Sequence, residues 1–183
     1  VNYTLTKNAF KRAGYTFSGW QTASAVSIDD VKFVMPDRNV TFTGTWTPID
    51  YPLTIRYVYK NGETASADYE ATVAYNSDYS VPSPIIKGYT PDLSVVAGKM
   101  DVVGGKVITV TYTANGNTAY NVEHYQENLD GNGYTLKETE NESGTTNETV
   151  TAAAKDYPGF TFDSNNSENA VSGTVRADGS LVL

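Results

Sequence analysis

The 183-residue sequence contains no cysteine, one histidine, two methionines and two tryptophans. Without thiols there are no disulfides, no thiolate metal sites and no cysteine nucleophile. A single imidazole excludes a histidine-rich metal cluster. No stretch approaches the roughly 20 apolar residues that a bilayer-crossing helix requires, so no membrane insertion is expected. Basic residues are in the minority, with 13 Lys and Arg against 21 Asp and Glu, a formal net charge of -8 and a pI near 4.5. Such a field repels phosphate backbones and anionic lipid, so no nucleic-acid partner is expected. No signal peptide opens the chain, which reads as either a cytoplasmic protein or a mature fragment whose address has been removed.

What the chain does contain is strand-forming. It has 24 Thr, 19 Val and 14 Tyr, nearly a third of all residues. Branched and aromatic side chains fit a pleated, half-buried surface. Few segments repeat their apolar residues every 3.6 positions, so the fold class is mostly β. Two short stretches read as helical, Asn8–Arg12 and Thr151–Lys155, the second stopped by Pro158-Gly159.

A motif of glycine, aromatic and threonine occurs three times: Gly14-Tyr15-Thr16-Phe17, Gly88-Tyr89-Thr90-Pro91 and Gly159-Phe160-Thr161-Phe162. Three copies at near-equal spacing signal an array of similar modules. A glycine leading into an aromatic strand suggests positive φ or a close backbone approach. Opening strands precede the second and third copies, at Tyr51–Tyr59 and Tyr120–Gln126, and alternation puts Leu53, Ile55, Tyr57 and Tyr59 on one face. Closing strands are expected at Val40–Trp46, Lys106–Tyr112 and Ser180–Leu183. Gly104-Gly105 reads as a hairpin turn. The organisation is then 1–48, a repeat lacking its first strand, followed by modules 49–115 and 116–183. Their formal charges are +2, -2 and -8, so the third carries nearly all the acidity.

The run Phe10–Thr22, FKRAGYTFSGWQT, and the run Phe33–Trp46, FVMPDRNVTFTGTW, resemble the internalin-type B repeat of bacterial surface proteins. Tyr51–Glu63, Ile85–Asp92 and Gly104–Thr113 look like the mucin-binding-protein (MucBP) repeat, and the third module is similar to a tandem repeat of large adhesins. The resemblance implies α+β, ubiquitin-like β-grasp modules in an elongated tandem array on the outside of a Gram-positive cell wall. It implies a non-catalytic adhesin or stalk that spaces or presents distal binding domains, with no cofactor and with adjacent repeats of a longer chain as neighbours. The alternative is a module that binds host glycoprotein or mucin glycans through exposed aromatics.

Individual residues admit competing readings. His124 is either a partly buried structural residue or a base. Asn128, Asp130 and Asn132, followed by Gly133, mimic the start of a calcium loop, but position twelve is Thr139 where a glutamate is needed, so a β-turn is expected. Alternation puts Glu138, Glu140 and Glu142 on one strand face, read as the solvated one, whereas paired carboxylates also serve glycoside hydrolysis. Trp20, Trp46, Tyr59, Tyr79 and Tyr89 are candidate sugar platforms or ordinary core. Lys106 shares a face with Ile108, Val110 and Tyr112, as a snorkelling side chain or as half of an isopeptide crosslink. No catalytic or metal-ligating residue is assigned.

Overall fold

A computed structural model describes residues 1–6 and 10–183 of the chain. Among the described residues there are fifteen strands and no α-helix. The strands are β1 Asn2–Thr4, β2 Tyr15–Gln21, β3 Ile28–Asp29, β4 Lys32–Val34, β5 Thr43–Pro48, β6 Asp50–Tyr59, β7 Thr64–Ala74 and β8 Asp78–Pro82. They continue with β9 Tyr89–Pro91, β10 Val95–Lys99, β11 Lys106–Ala114, β12 Thr118–Glu127, β13 Tyr134–Gly144, β14 Thr149–Thr151 and β15 Ser172–Thr174. The mostly-β expectation therefore stands, without its helical component.

The expected helix at Thr151–Lys155 is absent. Its first residue closes β14, which pairs with β15, and Ala152 N–H then donates to the Val171 carbonyl. Five residues cannot meet the cost of helix nucleation when a strand partner is at hand. The other stretch, Asn8–Arg12, falls partly on residues 7–9, outside the described residues.

The sheets are small: β1-β4-β3, β2-β5, β8-β10, β12-β13, β14-β15 and a four-stranded sheet of order β7-β6-β11-β9. Gly104 and Gly105 do turn the chain, both at positive φ. They do not make a hairpin, because β10 pairs with β8 while β11 pairs with β9. The residues group into two compact units, one of 1–56, 66–82 and 94–109, the other of 57–65, 83–93 and 110–183.

In the first unit the buried apolar residues are Phe33, Leu53, Ile55, Val81, Val96 and Met100. Phe33 stacks on Tyr3 and meets the tilted ring of Phe42, with centroids 5.9 and 4.6 Å away. Leu53 and Ile55 occupy the inward positions that alternation along β6 assigns them. In the second unit Tyr57, Val110 and Tyr112 are buried, and Tyr112 donates its hydroxyl hydrogen to the Pro84 carbonyl at 2.6 Å. A second cluster there joins Tyr120, Val122, Val175 and Leu181, with Val150, Ala152 and Leu183 against it. The segment ending at Leu183 runs parallel to β12: Asn121 N–H donates to Leu181, Leu183 N–H to Asn121, and Glu123 N–H to Leu183.

Deleting a fully enclosed side chain removes its transfer energy and leaves a cavity. Ile55→Ala, at a residue with 0 % exposure, is expected to lower unfolding stability by about 2–5 kcal/mol in a denaturant titration. Ile85→Ala, at a fully exposed residue, should stay within about 0.5 kcal/mol of the parent.

Candidate functional site

Two side-chain constellations stand out. The first is aromatic and lies in the first unit. β2 and β5 pair with Phe17 opposite Trp46 and Trp20 opposite Gly44, and the register slips between Phe17 and Gly19. A bulge of this kind shifts the alternation by one residue. Phe17 and Trp20, three apart, therefore share a face with Trp46. Ring centroids are 5.2 Å apart for Phe17 and Trp20, and 5.4 Å for Phe17 and Trp46, both edge-on. Phe10 meets Trp20 edge-on at 5.8 Å.

Gly44 is the floor of this arrangement. A Cβ there would stand 3.0 Å from the Phe17 ring, so only glycine leaves the rings their positions. The result is an open groove of about 390 Å³ lined by Phe10, Arg12, Phe17, Trp20, Gly44 and Trp46. The Arg12 guanidinium sits 4.0 Å over the Tyr15 ring at its edge. Half-buried aromatic faces flanked by a cation and open to solvent suit a ligand with C–H faces and hydroxyl groups.

Of the five aromatics singled out in the sequence, Trp20 and Trp46 thus both pack against Phe17 and line one groove. Tyr59 and Tyr89 meet elsewhere, with ring centroids 4.7 Å apart, and the Tyr89 hydroxyl accepts from Asn147 Nδ2 at 2.5 Å. Tyr79 joins neither pair; its ring lies 5.9 Å from Lys106 Nζ. Sequence reasoning missed Phe17, whose place depends on the bulge, and Gly44.

The second constellation is charged. β12 pairs with β13, setting Tyr120 opposite Glu142, Val122 opposite Glu140 and His124 opposite Glu138. Directly opposed residues project from the same face. The three glutamates therefore share the face of the buried Tyr120 and Val122, which corrects their assignment to the solvated face. On β13, which among the described residues pairs only with β12, Glu138 and Glu140 are half-buried and Glu142 is exposed. Lys155 Nζ donates to Glu138 at 2.7 Å and to Glu140 at 2.8 Å. The Tyr157 hydroxyl donates to Glu138 at 2.9 Å. His124 Nε2 lies 3.1 Å from Glu140 Oε2, its side chain 11 % exposed and its ring edge-on to Tyr157. His124 is thus mostly buried, as expected, but it has the convergent partners that the sequence did not reveal.

These contacts set the ionisation. The Lys155 ammonium, with help from the Tyr157 hydroxyl, holds the Glu138 carboxyl below its ordinary range. Lys155 and then His124 do the same for Glu140. The two carboxylates raise Lys155 in turn. A glycoside-cleaving pair needs one carboxyl raised so that it can donate a proton. Both are lowered here, so this pair is a salt-bridged strut.

Lys106 Nζ pairs with Asp101 Oδ1 at 2.5 Å and donates a hydrogen bond to the Lys99 carbonyl at 2.7 Å. The Asn128 loop is a turn: Asn128 donates to the Asn132 carbonyl and accepts from Thr135, while Asn132 N–H caps Asp130. No cluster of metal-ligating side chains is found among the described residues.

A carboxyl held low in the fold contributes stability above its ordinary value of 4.5 and loses it as pH falls below. A lysine held high contributes below its ordinary value and loses that contribution as pH rises through the raised one. Acidification below about pH 4.5 should therefore destabilise the second unit. In Lys155→Met that acid dependence should flatten, and both glutamates should titrate at higher pH in carboxyl-carbon NMR. Unchanged titration would show that the strut has no energetic role.

The divergent InlB B-repeat domain family matches residues 2–50, and the MucBP domain family matches residues 52–113 and 124–182. The MucBP domain of an adhesion protein from Pediococcus pentosaceus is 27% identical, with 37% of this chain and 99% of that one covered at a TM-score of 0.32. A type 2 repeat of the mucus binding protein MUB from Lactobacillus reuteri is 23% identical, with 56% and 76% covered at a TM-score of 0.34. A MucBP domain from Lactobacillus acidophilus is 22% identical, with 37% and 92% covered at 0.31. Among curated proteins none matches. With two MucBP matches spanning most of its length, and an InlB-type repeat ahead of them, the chain belongs to the MucBP domain family.

Proposed function

We propose that the chain is a non-catalytic part of a bacterial cell-surface adhesin, built of tandem modules 1–48, 49–115 and 116–183 that space or present binding domains outside the wall. The observation that carries this reading is the double MucBP match, which repeats one domain type along the chain. The sheet order β7-β6-β11-β9 supports β-grasp modules, because it sets the last strand of the middle repeat beside its first. The parallel seating of Leu181–Leu183 on β12 repeats that feature in the third. Modules of this size bury a modest share of their surface, so contact with neighbours adds stability.

Small-angle scattering tests the spacer role. A compact chain of this length has a radius of gyration of roughly 16 Å. Tandem modules should exceed that clearly, and a value near it would overturn the spacer role.

The groove of Phe17, Trp20 and Trp46 favours a second task, binding of host mucin or glycoprotein glycans. In that case binding to immobilised mucin glycans should saturate. Trp20→Ala or Trp46→Ala should weaken it tenfold or more, and Tyr79→Ala should leave it unchanged. Equal binding by all three variants would remove the groove from the account.

A further inference from the structure

The three glycine-aromatic motifs form the same turn. Tyr15 N–H donates to the Arg12 carbonyl, Tyr89 N–H to Ile86 and Phe160 N–H to Tyr157, at 3.0–3.1 Å. The glycines have φ of 78°, 78° and 83°. A bond from the fourth residue to the first, with positive φ at the third, is the signature of a type II turn.

Around two of these turns the chain builds one hydrogen-bond relay twice. At the first, Ile49 N–H donates to the Gly14 carbonyl and Tyr75 N–H to the Ile49 carbonyl, both at 2.9 Å. At the second, Asn115 N–H donates to Gly88 at 2.8 Å and Thr146 N–H to Asn115 at 3.0 Å. In both, the next residue is a left-handed asparagine, Asn76 at φ 66° and Asn147 at φ 65°. Its N–H donates to Met100 in one case and to Val175 in the other. Both of those acceptors are completely buried.

The glycine is the seat of each relay. A Cβ on Gly14 would collide with the Tyr75 ring; one on Gly88 would stand 2.8 Å from Ala177 Cβ and 2.9 Å from Thr146 Oγ1. The strands leaving these turns are paired, β2 with β5 and β9 with β11. The third turn has the same backbone, yet among the described residues nothing lies within 4 Å of a Cβ placed on Gly159. Phe160-Thr161-Phe162 is in no strand, and both phenylalanines are exposed, at 42 % and 51 %.

We propose that the Tyr157–Phe160 turn, together with Phe160–Phe162, is a docking site for a further MucBP-type module, which seats a left-handed asparagine turn on Gly159. The occupant is named by the two seats already filled in this chain. The inference rests on the tandem-module reading above and adds a specific joint to it. A linker N–H binds the Gly159 carbonyl, the linker strand pairs with Phe160-Thr161, and the incoming turn covers the glycine face.

The test appends a copy of residues 47–113 directly after Leu183, since Thr47 follows Trp46 at the corresponding place in the first repeat. A control chain appends residues 47–51 alone, which supplies the strand without the module. Hydrogen exchange is followed in residues 157–162, with 12–17 as the internal reference because Gly14 is already seated. Exchange in 157–162 should slow tenfold or more with the whole module relative to the five-residue control. Equal exchange in the two extended chains, with 12–17 protected, overturns the docking and leaves the tandem reading standing. If 12–17 exchanges as fast as 157–162 of the 183-residue chain, the tandem reading itself fails and the docking with it.

Discussion

The structure depends on a backbone conformation that only glycine adopts without strain. At Gly14 and Gly88 the chain turns with positive φ, offers its carbonyl outward and leaves the space of a missing side chain to be filled. Both offers are taken. Ile49 or Asn115 donates its N–H to the carbonyl, and Tyr75 or Thr146, from a segment further along, lays its side chain into the space. Each partner turn is itself left-handed at an asparagine, a residue whose short amide tolerates that region. Because both relays are made of backbone bonds and a glycine seat, neither depends on the charge of the residues around it.

Much of this was legible in the residues. The three motifs announced the repeats, and composition announced the strands. Alternation put Leu53, Ile55, Tyr57 and Tyr59 on one face; the first three are buried and Tyr59 is half-buried. The helical reading of Thr151–Lys155 failed because local propensity ignored a distant strand partner, β15. The glutamates of β13 failed for a related reason. Alternation says which residues share a face but not which face is inward. That is set by the register against β12, which a bulge between His124 and Tyr125 shifts by one residue, so that Glu138 and Glu140 rather than Lys137 and Thr139 come opposite His124 and Val122. The acidic residues then survive on the inner face because Lys155, from a loop with no regular pattern, comes down between them.

The aromatic groove was only half legible. Trp20 and Trp46 were visible as large aromatics, but strict alternation gives no reason for Phe17 and Trp20 to face the same way. The bulge between Phe17 and Gly19 supplies it, and Gly44 makes room beneath the rings. A glycine within a strand was the available signal, since such residues mark bulges and close approaches. Charge separates the two constellations as well. The groove lies within residues 1–48, of formal charge +2, and the glutamate strut within residues 116–183, of formal charge -8.

The parallel seating of Leu181–Leu183 on β12 sets how the third repeat would carry a load. β12 enters at Thr118 and the last segment leaves at Leu183, running the same way along each other. Tension applied at these two points pulls the segments past one another lengthwise. The bonds that Asn121 and Glu123 make with Leu181 and Leu183 are then strained together, in shear, rather than opened one after another like a zip.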